Sequence, residues 1–132
     1  MPGYAIVLAS GELEKLQAVA NIASVAAASE IPIKVFATMD GLEAFDKDTV
    51  ESKSFTGGPI AQAMLESEEI QVPLFTESFG RAKELGDFEV FACELSMDLL
   101  GKSLDDYVDL FDDVLGVSGF LTMAEDKQVI FV

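Results

Sequence analysis

The chain has 132 residues, 50% of them hydrophobic, with 24 acidic against 8 basic side chains and a formal net charge of −16. That length gives one domain, 1–132, with room for a sizeable core; the charge speaks against nucleic acid or anionic lipid as a partner and for a cationic or metal-bearing one, although an acid excess also serves solvation at high salt or low external pH. A single cysteine, Cys93, and no histidine exclude an internal disulfide and a Cys/His zinc site, so neither a resident metal nor a cofactor is expected.

Tyr4 to Ala9 is an unbroken apolar run closed by Ser10-Gly11, the pattern of a strand buried on both faces followed by a turn. It reads as a strand rather than a leader peptide, and the protein is expected to be cytoplasmic. Leu13, Leu16, Ala20, Ala23 and Ala27 recur at three- and four-residue steps, which predicts a long helix to about Ser29 whose alanines let it lie close to a sheet. The tract AVANIASVAAASEIPI is broken by Asn21, Ser24, Ser29 and Glu30 and falls short of the roughly 20 apolar residues that span a bilayer. Pro32 resets the backbone, Ile33 to Ala37 reads as a second strand, and Thr38-Met39-Asp40-Gly41 as a turn. Strand, helix, strand makes a βαβ unit with parallel strands.

The stretch 47–75 is expected to be an insertion of short helix and loop, with Pro59 opening a helix through Glu69. A further helix runs from Thr76 or Glu77 to Leu85 and stops at Gly86; Phe88 to Ala92 is the third buried strand, with Cys93 at its end, and Ser96 to Leu100 a short helix closed by Gly101. From Leu104 to Leu115, Val108, Leu110, Phe111, Val114 and Leu115 alternate with five aspartates on a helical period, predicting a helix with a solvated acidic face. Calcium is the sharper idea, but the glycine and terminal glutamate of an EF-hand loop are missing there. Gly116 and Gly119 bracket a strand or turn, Phe120 to Glu125 a helical turn, and Gln128 to Val132 a closing strand. Such alternation predicts an α/β three-layer sandwich around a mostly parallel sheet of about five strands, flavodoxin-like.

In open parallel sheets ligands gather at the carboxyl ends of the strands, where Cys93 is placed. A helix starting just after it turns backbone N–H groups and the helix dipole toward the sulfur and favours the thiolate, while Glu94 opposes it. Ser96 either caps that helix or donates to the sulfur. Met97 is either an apolar lid or core, and Cys93 itself is either a reagent or packing.

The segment VFACELSMDLLG resembles the cysteine signature of the DsrE/DsrF/DsrH-like sulfur-relay family: an apolar strand into Ala-Cys, then Ser-Met, then Leu-Gly. The opening strand with Ser-Gly, the Ala-rich helix, PIKVFATMDGL and the closing GVSGFLTMAEDKQVIFV extend the resemblance over nearly the whole chain. It implies a single DsrE-like domain, a homo-oligomer of two to four chains, and Cys93 as the residue that carries sulfur as a persulfide or thiosulfonate. Partners would be donor and acceptor proteins such as small thiol carriers or rhodanese-like proteins, since no second cysteine resolves the intermediate. A non-catalytic assembly or regulatory subunit with a structural cysteine is the alternative, its acidic face docking a basic partner. A third is a small-ligand or nucleotide binder using Ser10-Gly11 and Gly57-Gly58-Pro59, against which stands the lack of a phosphate-cradling lysine loop. Phe55, or Phe75 with Phe79, is the expected subunit contact.

Overall fold

Strands form where β-branched and aromatic residues run almost without charge. In the computed structural model, which describes residues 2–132, these are β1 (Tyr4–Leu8), β2 (Ile33–Ala37) and β3 (Phe88–Cys93), joined by a short β4 (Asp113–Leu115) and the closing β5 (Gln128–Phe131). They form one sheet in the order β4-β3-β2-β1-β5, each neighbouring pair parallel. The helices are α1 (Leu13–Ala28), α2 (Met39–Glu43), α3 (Lys47–Ser52), α4 (Pro59–Glu66), α5 (Phe75–Leu85), α6 (Glu94–Leu100) and α7 (Val117–Met123). Each parallel crossover lays its helix on the sheet, which gives the α/β sandwich that the alternating pattern predicts. The chain steps β1 to β4 in one direction and returns through α7 to β5, so the strand order reverses between β1 and β5. Among the described residues no helix is long and apolar enough to cross a membrane.

The register Val7↔Phe36↔Phe91 and Ile6↔Val35↔Val90 sorts strand side chains onto two faces. Phe88 stacks on Phe79 of α5 at 5.4 Å, and Phe36, which points the other way, stacks on Phe120 of α7 at 4.8 Å. One face is therefore covered by α5, with α1 packed beside it through Ser24 Oγ to the Ser78 carbonyl (3.3 Å), and the other by α7. On the α5 side Phe45 is fully buried, with ring centroids 5.1 Å from Phe75, 5.6 Å from Phe79 and 5.2 Å from Phe111. Burying each such ring contributes about 1.5–3 kcal/mol, so this cluster anchors the end of the sheet where the strands finish.

The insertion between β2 and α5 is α3 and α4, and a charge holds it to the fold. The Gly58 N–H donates to Glu14 Oε2 at 2.6 Å, so a carboxylate from α1 sits at the N-terminus of α4, with Pro59 in the first turn. The backbone N–H groups of Glu14, Gly58 and Ala61 hold that carboxyl below the usual range. Gly57 is needed there because a Cβ would lie 2.4 Å from Ala61 Cβ and 2.5 Å from Glu14 Oε1.

Several sequence expectations are corrected. Leu104–Leu115 is not a helix: it is a 3₁₀ turn at Leu104–Asp106, an extended stretch, and β4. Tertiary pairing overrides the period, for Tyr107 turns inward to 1% exposure, Asp106 closes a capping box with Ser103, and Asp112 Oδ2 accepts the Val90 N–H at 2.8 Å and pairs with Lys83. The helix from Pro59 stops at Glu66, and the one after Cys93 starts at Glu94 instead of Ser96. Gly116 caps α7 and Gly119 lies within it. Phe75 and Phe79 are fully buried and offer no subunit contact, whereas Phe55 is half-buried and packs edge-on against Phe75; the exposed apolar side chains include Phe131, Val129 and Leu121.

Candidate functional site

Cys93 closes β3 and is at once the N-cap of α6, with φ −75° and ψ 119°. An N-cap side chain faces the backbone N–H groups two and three residues on; here those belong to Leu95 and Ser96, and the sulfur makes no capping hydrogen bond to them. Paired strands bring in a second contribution. Ala37 is level with Ala92, so Thr38, one residue past β2, stands beside Cys93. Burial pushes the thiol up, but the Ser96 hydroxyl, the Thr38 hydroxyl and the N–H groups of Ser96 and Leu95 outweigh it, leaving the thiol below its ordinary value. The side chain is only 1% exposed. It is sealed from water, and the low dielectric strengthens the effect of the polar groups beside it.

Ser96, itself 4% exposed, is the hub. Its Oγ accepts the Met39 N–H at 2.9 Å, lies 3.5 Å from Thr38 Oγ1, and is 4.0 Å from Met39 Sδ. With the Met39 N–H supplying a proton to the oxygen, the serine proton is left for Met39 Sδ or Thr38 Oγ1. Met39 has φ 51°, in the left-handed region, which costs a non-glycine residue about 1–2 kcal/mol. Met39 is 51% exposed. Met97, in contrast, is 7% exposed and belongs to the core, and Glu94 is exposed on the first turn of α6.

Ser10 and Gly11 are not part of this cradle. They line a polar cleft of about 470 Å³ at the end of β1, with Asp40, Glu43, Thr49 and Thr56 among its other walls; Cys93 is not one of them. The two sites share α2. Gly41 makes this possible, since a Cβ would lie 2.1 Å from the Leu8 carbonyl oxygen, and the helix is drawn over the end of β1 by the Gly41 N–H to Ala9 O bond (3.1 Å). Beyond the cleft, Glu43 accepts from Tyr107 Oη and Lys102 Nζ, both at 2.5 Å, and Lys102 also reaches Asp46 Oδ2 at 2.9 Å. Asp46 caps α3 by accepting from Asp48 and Thr49. Lys102 holds its carboxyl below the usual range, while burial and then Glu43 push Tyr107 well up. Among the described residues no group of three or more cysteine, aspartate or glutamate side chains is gathered to hold a metal ion.

Fold and site together define a parallel-sheet α/β protein with a buried cysteine at a strand end and helix N-cap. No protein-family model matches the chain, and no curated protein matches it. Among solved structures it is similar to a protein of unknown function, MTH1491 from Methanobacterium thermoautotrophicum, with a TM-score of 0.57 and 16% sequence identity over 98% of this chain and 96% of that one. At that identity the likeness bears on the fold alone.

Thr38 and Met39 are the site residues that sequence reasoning missed. The usable signal was the parallel between ATMDG and ACELS, two Ala-polar steps at the ends of adjacent strands.

Proposed function

We propose that the protein is a sulfur carrier or sulfurtransferase that holds sulfane sulfur on Cys93 and yields it to a partner thiol. The observation that carries this reading is the place of Cys93 at the carboxyl end of β3 and at the N-cap of α6, level with Thr38 and one turn from Ser96, where the thiol lies below its ordinary value. A thiolate whose pKa lies below the ordinary thiol value is more populated near neutrality as a nucleophile and is a better leaving group. With tetrathionate, the Cys93 thiolate attacks an inner sulfur, the S–S bond breaks, thiosulfate departs and a thiosulfonate remains on the cysteine. With a polysulfide, the same attack leaves a persulfide and a polysulfide shorter by one sulfur. An acceptor thiolate then attacks the outer sulfur and Cys93 leaves as thiolate. Because Cys93 is 1% exposed, this reading requires the Thr38–Met39 turn, where Met39 holds a left-handed backbone, to open for access. Partners are small thiol carriers or rhodanese-like proteins, the assembly is a homo-oligomer, and the location is cytoplasmic.

Mass spectrometry of the intact protein after incubation with tetrathionate or polysulfide tests this reading. A thiosulfonate adduct from tetrathionate, or a sulfur-sized one from polysulfide, on wild type that is absent in Cys93→Ser supports it; no adduct, or one unchanged in the variant, overturns it.

One observation favours a second reading, an assembly or regulatory subunit with a structural cysteine: Cys93 is only 1% exposed, and buried polar groups are in any case satisfied. That reading requires the thiol to resist alkylation in the folded protein.

A further inference from the structure

We infer that the outer face of α6, with the start of α2 beside it, is the surface on which a basic, thiol-bearing protein docks to exchange sulfur with Cys93; this rests on the carrier reading above. Leu95, Leu99 and Leu100 are 52%, 70% and 53% exposed. That is three leucines on one seven-residue helix, the helix that Cys93 itself caps, and an apolar patch of this kind marks an interaction surface. Around it stand the exposed carboxylates of Glu94 and Asp98 on the same helix and of Asp40 next to Met39. Among the described residues none of these three carboxylates is in an ion pair. Lys102, the only basic residue between Lys83 and Lys127, is engaged with Glu43 and Asp46.

An apolar centre with an anionic rim is complemented by an apolar centre with a rim of lysine or arginine. A second copy of this chain, itself at −16, brings like charge to the rim and is opposed. The position fits transfer because the patch adjoins the sulfur. A partner cysteine arriving across the Thr38–Met39 turn attacks the outer sulfur of the Cys93 persulfide; the persulfide S–S bond breaks, the outer sulfur leaves with its proton on the partner, and Cys93 is released as thiolate.

The test uses the whole protein loaded with sulfane sulfur from polysulfide and two synthetic cysteine peptides, one flanked by leucine and lysine, the other by leucine and glutamate. At low salt the lysine peptide is expected to take sulfur about ten-fold faster, the lower range of electrostatic steering. The advantage shrinks in about 0.5 M salt, where screening reaches only a few ångströms. Asp98→Lys lowers the lysine-to-glutamate rate ratio, which removes the intrinsic reactivity of the peptides from the comparison. Leu99→Ser slows both peptides, and neither variant alters the loading of Cys93 itself. Equal rates for the two peptides on wild type, or a ratio unmoved by Asp98→Lys, would overturn the docking surface. A Cys93 that never loads removes the carrier reading and the inference with it, so the loading step tells the two failures apart.

Discussion

Replacing Tyr107 by phenylalanine tests whether the buried phenol is held by charge or by packing. The ring is 1% exposed and its hydroxyl donates to Glu43 Oε2 at 2.5 Å. A hydrogen bond to a charged acceptor contributes about 1.5–3 kcal/mol. The lower end applies, because Glu43 keeps Lys102 and the ring keeps Lys102 Nζ 5.5 Å from its centroid. With a urea slope of about 1.5–2 kcal/mol/M for a domain of this size, Tyr107→Phe lowers the midpoint by about 0.7–1 M. The sign of the pH dependence follows from linkage. Tyr107 titrates well above its ordinary 10.0 when folded, so its contribution is complete below that value and is lost as pH rises, while the unfolded chain ionises first. The loss proceeds at about 1.4 kcal/mol per pH unit. A gap of about 1.5 kcal/mol therefore closes roughly one unit above 10, and the wild-type and Tyr107→Phe midpoints, followed by far-UV circular dichroism, meet near pH 11. Equal midpoints at pH 7, or a gap constant up to pH 11, would refute the charge-held phenol.

Ser96→Ala removes the hydroxyl that lowers the thiol and accepts the Met39 N–H, so the pH profile of Cys93 alkylation moves to higher pH and the rate at neutrality falls with the fold unchanged; a superimposable profile would show that the hydroxyl does not act on the sulfur. Phe79→Ala opens a cavity against Phe88, Phe45 and Phe75 and costs about 3–5 kcal/mol, read as a fall in the urea midpoint that Phe79→Leu largely restores. Asp46→Ala removes the α3 cap, at about 1 kcal/mol, and one Lys102 partner. Since the Asp46 carboxyl titrates below its ordinary 3.8, its contribution is present above that pH and lost as pH falls through the folded value, so wild type and variant converge in acid; a gap that persists at pH 2 contradicts the assignment.

The strands β1, β2 and β3, the long α1 and the Cys93–α6 junction are legible because each is dictated locally: an uncharged run, an alanine stripe, a glycine stop. Leu104–Leu115 is misleading for the opposite reason. Its apolar residues fall on a helical period, but Tyr107 is claimed by Glu43 and Asp112 by the Val90 amide, partners far away in sequence. The third strand needed that aspartate to receive its neighbour. Cys93 was legible as a position and not as an environment, because Thr38 reaches it only once β2 and β3 pair in register.

The large negative charge bears on the two sides of this site differently. At the sulfur it has little say: the groups that lower the thiol are the neutral hydroxyls of Ser96 and Thr38 and the backbone N–H groups of Ser96 and Leu95, shielded from salt and strengthened by exclusion of water. At the rim, Asp40, Glu94 and Asp98 are exposed and act through solvent, where their reach ends within a Debye length. Salt therefore separates the two functions. The alkylation profile of Cys93 by an uncharged reagent is expected to hold between 0.05 and 0.5 M salt, about a three-fold change in screening length, while exchange with a cationic thiol peptide slows over the same range. A profile that shifted with salt as strongly as the exchange does would mean that surface carboxylates, and not the cradle of donors, govern the thiolate.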